Sequence, residues 1–244
     1  MSTPIRTLAS LRSEQGPQKM TDDLGRTTWP ESGGRPLLLV PVGSVEQHGP
    51  ALPLTTDTIV AEAVTREAAD RLRSTGRSVL VAPAVAYGAS GEHEDFPGTV
   101  SIGHQALAAV LVELGRSASR WASGVVFVNG HGGNAPTVAS AVDLLRAEGR
   151  AASWAPCAAP GSDAHAGLTE TSLLLHLAPE TVRVDLLQPG DTRSVTDLMP
   201  ALRSDGVRAV SANGVLGDPT GASAEEGRRV LGLMVGRVVA EAGG

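Results

Sequence analysis

An acid, a histidine and a second acid lie close together in one short stretch of the chain. Glu46 and His48 are two residues apart, and Asp57 follows nine residues after His48. Side chains at i and i+2 of an extended segment point to the same side, so one metal ion can bind both Glu46 and His48. Asp57 lies where a helix should begin, so it would either bind a second ion, bridge two ions or cap that helix. The stretch therefore predicts half of a metal site. Asp57 is either a metal ligand or a helix cap at this point.

A second group is the glycine-rich turn 129–134, which follows an apolar run and has His131 at its centre. Glycines let the backbone approach a ligand closely. The turn from Gly130 to Ala135 also matches a dinucleotide-binding fingerprint, which needs an acid about 20 residues further on. The next predicted strand ends at Cys157 without one. We therefore favour a metal ligand or an acid–base role for His131 over a nucleotide-binding module.

A third group follows the next predicted strand and contains His165 and Glu170. Thr169 would cap the helix that begins there, and Glu170 would complement the helix dipole. These structural roles leave His165 unexplained. Because functional groups in parallel α/β folds gather at the carboxyl ends of strands, we expect His165 beside Glu46 and His131. The three groups together predict a metal or acid–base site.

Other polar residues have simpler interpretations. The triplet 92–94 has the character of a surface turn, and His104 and His176 are expected to be structural. Cys157 with His165 would make a nucleophile and base, but a cysteine that ends an apolar strand is usually just buried.

The composition limits the fold and the partners. The chain has 244 residues, 41% hydrophobic residues and a net charge of −6, which predicts one α/β domain without a nucleic-acid surface. No apolar run is long enough to cross a membrane, and the single cysteine favours a cytoplasmic protein. We expect residues 1–34 to be a loosely ordered or peripherally packed arm, and residues 35–244 to be the domain.

Apolar runs alternate with helical patterns along the chain. Strands are predicted at 37–42, 78–82, 125–128 and 151–156, and helices at 58–75, 104–121, 135–148, 169–177 and 223–241. Such alternation predicts βαβ units with right-handed crossovers, and hence a mostly parallel sheet between layers of helices.

The predicted ligands indicate hydrolysis. Carboxylates and imidazoles without thiolates suit Zn²⁺, Fe²⁺ or Mn²⁺, and Asp57 could bridge two ions. A hydroxide between them would form at neutral pH, because metal binding lowers the pKa of water to about 7, and the second ion would polarise a carbonyl. An amide is then the expected substrate class, and His165 would protonate the departing amine.

These motifs resemble the creatininase (creatinine amidohydrolase) family over residues 36–227. The matching segments are 43–49, 52–54 with Asp57, 96–99, 129–134, and 165–167 with 170–172. The resemblance implies a three-layer α/β/α sandwich, two divalent metal ions, amide hydrolysis and a homo-oligomer of six or more subunits. It further implies that Glu46, His48, Asp57 and His131 are metal ligands, with Asp57 bridging, and that His165 shuttles the proton.

The chain departs from the creatininases at one ligand. Creatininases have a glutamate ligand two positions after the turn histidine, where this chain has Gly133. Glu170 is our candidate for the fifth ligand and for a further catalytic role. We assign substrate contacts to Ser90, His93, Gly132 and Asn134.

The substrate is expected to differ from creatinine. The segment 158–164 lacks the tryptophan that creatininases place near their substrate, whereas 50–57 and 173–177 most resemble the members of the family that belong to mycofactocin systems. That resemblance implies a peptidase that releases the modified C-terminal Val-Tyr dipeptide from a precursor peptide. A small-molecule amidohydrolase acting on a cyclic amide or a formamide is the alternative.

Overall fold

The structure, a computed structural model, describes residues 22–243 and contains one parallel sheet of four strands in the order β2–β1–β3–β4. The strands are β1 (Leu37–Val42), β2 (Val79–Val81), β3 (Gly124–Asn129) and β4 (Ala152–Pro156). The α-helices of the described residues are α1 (Thr56–Ser74), α2 (Gly103–Ala118), α3 (Ala135–Ala147), α4 (Leu168–Leu177), α5 (Val195–Asp205), α6 (Val207–Val210) and α7 (Ala224–Gly243).

The two central strands, β1 and β3, are buried along their whole length. Their register runs from Leu37 opposite Gly124 to Val42 opposite Asn129, so both strands end at the same edge of the sheet. Continuous apolar runs form such strands because helices cover both faces of the sheet. The register thereby places the residues that follow β1 and β3 side by side.

Successive side chains of the strands enter two separate cores. Leu37 and Leu39 pack with α1, α4 and α7 on one face, whereas Leu38 and Val40 pack with α2 and α3 on the other. Alternation of this kind follows from the two-residue period of a strand. The predicted three-layer α/β/α sandwich with a parallel sheet is therefore confirmed.

Helices α5 and α6 were not predicted from the sequence. Pro200 lies inside α5, where proline normally disfavours a helix. Leu198 and Val207 anchor the pair through a small cluster with Leu216. Tertiary contacts rather than local pattern therefore decide this region, which lies over the predicted site.

The predicted N-terminal arm is described only in part, since residues 1–21 lie outside the described range. The backbone carbonyl of Asp22 accepts a hydrogen bond from the Val81 N–H at 3.0 Å, so Asp22 and Asp23 lie along the edge of β2. The domain boundaries stay a prediction. Among residues 22–243, no helix is both long enough and apolar enough to span a membrane.

Candidate metal centre

Two glycines bring the start of α1 against the ends of β1 and β3. A Cβ on Gly43 would overlap Thr58, and a Cβ on Gly130 would overlap the backbone oxygen of Asp57. Only glycine permits this close approach. Thr55, not Asp57, precedes the first residue of α1, and the Asp57 side chain is buried in the first turn. Asp57 is therefore directed into the site and is not the helix cap.

One group of possible ligands combines Glu46, Asp57 and His131. Nδ1 of His131 lies 3.1 Å from Oε1 of Glu46 and 3.5 Å from Oδ2 of Asp57. One ligand atom from each residue lies within 4.8 Å of the other two. All three side chains are almost completely buried. This separation and chemistry suit a single divalent cation.

A second group lies on the other side of Asp57. Nε2 of His48 is 3.2 Å from Oδ1 of Asp57 and 3.8 Å from Oε2 of Glu170. Glu170 Oε2 also accepts a hydrogen bond from the Ala166 N–H at 2.6 Å, which holds the carboxylate in place. The two oxygens of Asp57 therefore face different groups of possible ligands.

The buried carboxylates lack hydrogen-bond donors. Both side-chain oxygens of Glu46 and Oδ2 of Asp57 are buried and have no hydrogen-bond partner within the part of the chain that the structure describes. A buried charge that is left unpaired is costly unless a cation or a metal compensates it. The orphaned oxygens and the surrounding imidazoles therefore fit a pair of divalent cations.

Backbone hydrogen bonds orient the two imidazoles of these groups. Nδ1 of His48 donates to the Glu46 carbonyl at 3.1 Å, which leaves Nε2 facing Asp57. Nε2 of His131 donates to the Ala89 carbonyl at 3.2 Å, which leaves Nδ1 facing Glu46. Metal-binding histidines commonly use one ring nitrogen in this way, so that the other can bind the ion.

The electrostatics of the pocket favour positive charge. Burial lowers the pKa of His48, but the adjacent Asp57 carboxylate outweighs it and raises that pKa to about 10. Burial and the neighbouring charge of Glu46 raise the pKa of Asp57 to about 6. Burial also opposes ionisation of Glu46, yet His131 and nearby imidazoles hold its pKa well below the usual range. Protons or metal ions can supply the charge that this pocket attracts.

His165 lies beside both groups. Its Nδ1 is 3.8 Å from Oε1 of Glu46, and its ring centroid is 4.3 Å from that of His48. Burial, followed by the charge of His48, lowers the pKa of His165, which favours the neutral imidazole. Glu46, His48 and His165 also lie close enough together to share an ion. The geometry therefore permits either a proton-transfer role or a ligand role for His165.

At Gly133, where the resemblance to creatininases leads one to expect a glutamate near the turn histidine, there is no room for a side chain. A Cβ at Gly133 would overlap Oε1 of Glu92 and Nε2 of His131. Glu92 Oε1 lies 3.4 Å from His131 Nε2, so its carboxylate fills the space beside the imidazole. The prediction of a surface turn at 92–94 is wrong for His93, which is buried against Glu46, whereas Glu92 is half-buried and Glu94 is exposed.

The predicted substrate contacts fall into two classes. His93 and Gly132 line the cleft that opens on the site, whereas Ser90 and Asn134 are not among its lining residues in the described chain. Asn134 is fully buried, and its amide accepts from the Ala89 N–H and donates to the Gly43 carbonyl. Ser90 is also fully buried, with its hydroxyl against that of Ser44. These contacts are structural and argue against substrate binding by Ser90 and Asn134.

One further expectation changes, the capping role of Thr169, whereas those for His104 and Cys157 do not. Asp163 accepts hydrogen bonds from the N–H groups of Leu168 and Thr169, so Asp163 rather than Thr169 caps α4.

His104 lines the cleft, and its Nδ1 lies 2.8 Å from the Thr137 hydroxyl. Cys157 packs against the core, where burial raises the pKa of its thiol and makes it a poor nucleophile.

The site opens into a cleft of about 730 Å³. Its walls include the loop at 91–95, the turn at 131–133 and residues of α5. Arg203 is the only lysine or arginine among the lining residues, and it has no hydrogen bond or ion pair within residues 22–243. The cleft therefore contains both the possible metal ligands and the guanidinium group of Arg203.

Comparisons with known proteins agree with the fold and the motifs. The family described as "Creatininase: Creatinine amidohydrolase" matches residues 25–242. The mycofactocin precursor peptide peptidase of Mycolicibacterium smegmatis is 59% identical over 201 residues, which are 82% of this chain and 81% of that protein.

Two solved creatininase structures are each 27% identical in sequence to this chain. Each comparison covers 90% of this chain and 96% of the creatininase chain. A mutant described as the Zn-Zn type has a TM-score of 0.76, and a structure described as "Creatininase Mn" has a TM-score of 0.75. The sequence match over nearly the whole described chain and the shared architecture lead to one conclusion. The chain belongs to the creatininase family.

Proposed function

We propose that this protein is a metal-dependent peptidase that hydrolyses an amide bond of a modified precursor peptide. The observation that carries the proposal is the set of buried, unpartnered carboxylate oxygens on Glu46 and Asp57, surrounded by imidazoles. Membership of the creatininase family and the name of the 59% identical relative support the same reaction class.

The residues present would hold two ions. Glu46, Asp57 and His131 would bind one, and His48, Asp57 and Glu170 the other, with Asp57 shared between them. When bound, such ions lower the pKa of water to about 7 and polarise the carbonyl of the amide. Related structures described as zinc and manganese forms support either metal, and Fe²⁺ suits the same ligands.

His165 would carry the proton during hydrolysis. Its Nδ1 faces the centre, and burial lowers its pKa, which favours the neutral imidazole. A neutral imidazole can take a proton from the attacking water and return it to the departing amine. Protonation of that amine makes it a much better leaving group.

The cleft supports a peptide end as the substrate. Its volume of about 730 Å³ is large for a small cyclic amide but suits two or three residues of a peptide. In a peptide whose C-terminal residue keeps its carboxylate, release of a Val-Tyr dipeptide would place that carboxylate close to the cut bond. Arg203, which has no ion pair among residues 22–243, would bind that carboxylate and set the distance to the cut bond.

The subunit arrangement and location follow from the resemblance and the composition. The resemblance to creatininases implies that this protein forms a homo-oligomer of six or more subunits. The single cysteine favours a cytoplasmic location for the protein. Both belong to the proposal, as does the identity of the native metal.

The decisive experiment combines metal analysis with mass spectrometry of the modified precursor peptide. We expect two ions per subunit, release of the dipeptide, and loss of cleavage on adding a chelator. Glu46→Gln keeps the side-chain shape but removes the charge, so it should lose both metal and activity. Glu67→Gln, an exposed change on α1, is the matched control and should keep both.

Other outcomes would contradict the proposal in identifiable ways. Full cleavage by metal-free protein would exclude the metal mechanism. Turnover of creatinine or a formamide, with an intact peptide, would favour the small-molecule alternative. Chelator-independent binding of a nucleotide that is abolished by Gly132→Val would favour the turn 130–135 as a nucleotide site.

A further inference from the structure

Gln47 lies between the proposed ligands Glu46 and His48, and its buried side chain joins three other segments of the chain. Its Oε1 accepts a hydrogen bond from the Gly49 N–H at 2.9 Å. Its Nε2 lies 3.2 Å from the carbonyl oxygen of Gly214. Gly214 has a positive φ of 80°, and any Cβ there would overlap the Gln47 amide. The loop can therefore approach Gln47 only because residue 214 is glycine.

These contacts fix the orientation of the Gln47 amide. The N–H of Gly49 requires an acceptor, so the oxygen of the amide must face it. The NH₂ group then faces Gly214 and His93, with Nε2 lying 2.8 Å from Nδ1 of His93. The Gly214 carbonyl can only accept and takes one of the two hydrogens. The other hydrogen is donated to Nδ1 of His93, which must be unprotonated.

His93 therefore carries its proton on Nε2. A neutral imidazole has one protonated and one bare nitrogen, and here the bare nitrogen is used by Gln47. Nε2 of His93 lies 3.3 Å from Oε1 of Glu46. The protonated Nε2 of His93 thus lies on the side of the Glu46 carboxylate, whereas His48 and His131 each donate from one ring nitrogen to a backbone carbonyl and direct the other nitrogen at a carboxylate. With a proton on the nitrogen nearest Glu46, His93 is a charge partner of that proposed ligand rather than a ligand itself.

The backbone of Gln47 sets the proton of a second imidazole. Nε2 of His165 lies 3.0 Å from the amide nitrogen of Gln47, but both amide hydrogens are already used. The same Nε2 lies 2.8 Å from the backbone oxygen of Gln47 and must donate to it. Nδ1 of His165 is therefore bare and faces Glu46.

We propose that Gln47 is a positioning residue that fixes the proton on Nε2 of both His93 and His165. Its side chain acts on His93, which then orients the carboxylate of Glu46. Its backbone acts on His165, which is left able to accept a proton on Nδ1. The kinetic consequence rests on the proposed peptidase function, whereas the two proton positions do not.

The first test is the ¹⁵N NMR spectrum of the histidine rings in the zinc-loaded protein. One-bond and two-bond couplings show which nitrogen of each ring carries the proton, and a His93→Asn variant assigns the His93 signals. We expect His93 and His165 to be neutral and protonated on Nε2. A proton on Nδ1 of His93 would overturn the proposal, whether or not the peptide is cleaved.

The second test uses Gln47→Glu, which keeps the shape of the side chain but can no longer donate to His93. The proton of His93 should move to Nδ1, and kcat should fall about 10- to 100-fold with little change in KM. Gln105→Glu on the exposed face of α2 should change neither.

A third variant covers the case in which Gln47→Glu does not fold. Gln47→Met fills the same space without donating, so His93 should lose its fixed tautomer and kcat should fall similarly. An unchanged His93 tautomer in a folded Gln47 variant would refute the proposal. An uncleaved peptide with wild-type protein would instead refute the peptidase function, and the NMR result would still stand.

Discussion

Gly130→Ala should separate the packing of the metal centre from its chemistry. A Cβ at this position would overlap the backbone oxygen of Asp57 and lie 3.2 Å from both its carbonyl carbon and the Cβ of Ala61. An ordinary contact needs about 3.5–4 Å, so the start of α1 must retreat by roughly 1 Å. That movement would displace Asp57, the carboxylate shared by the two ligand groups.

The expected size of the effect follows from this overlap. Overpacking of a buried site costs about 1–3 kcal/mol of the free energy of unfolding. For a domain of this size, each kcal/mol lowers Tm by about 2–4 °C, so Tm should fall by roughly 2–12 °C. Misplacement of a catalytic group by about 1 Å costs on the order of 100-fold in rate. Thermal unfolding, metal analysis and peptide cleavage measure the three consequences.

The neighbouring glycine provides the control. A Cβ at Gly132 would meet no atom within 4 Å, and its φ lies outside the left-handed region. Gly132→Ala should therefore keep its metal and be equally or slightly more stable, by up to about 1 kcal/mol. If Gly130→Ala matched Gly132→Ala in Tm and metal content, close approach of α1 would not be what positions Asp57.

Three further outcomes are expected. Glu170→Gln should bind only one ion per subunit tightly, with the other weakened at least about tenfold, in titrations followed by elemental analysis; two ions of unchanged affinity would exclude Glu170 as a ligand. Arg203→Ala should lower kcat/KM about 10- to 150-fold, mainly through KM, since hydrogen bonds to charged groups contribute about 1.5–3 kcal/mol. A C-terminally amidated peptide should not distinguish Arg203→Ala from wild type, and Arg228→Ala on α7 should leave cleavage unchanged. Cys157 should be alkylated by iodoacetamide at pH 8 much more slowly in folded than in urea-unfolded protein, because burial raises the pKa of its thiol and depletes the thiolate; equal rates would contradict this burial.

Local patterns in the sequence were sufficient to predict the parallel sheet and the helices that cover it. The apolar run from Leu37 to Val42 forms a central strand because its side chains alternate between two helical layers. The helices predicted at 135–148 and 169–177 appear at Ala135–Ala147 and Leu168–Leu177. Helices α5 and α6 were not predicted, because Leu198 and Val207 stabilise them through contacts with residues elsewhere in the sequence.

The sequence by itself determined the fold class and the chemical types of the site, because strand ends in a parallel sheet must share one edge and the acids and histidines follow those ends. Only the tertiary structure decided how each side chain is used. It turned Asp57 into the site instead of the helix cap, tied Asn134 into the framework, and placed Glu92 where a side chain at Gly133 would lie. These roles depend on overlaps and hydrogen bonds between segments far apart in the chain, which no local spacing of residues encodes.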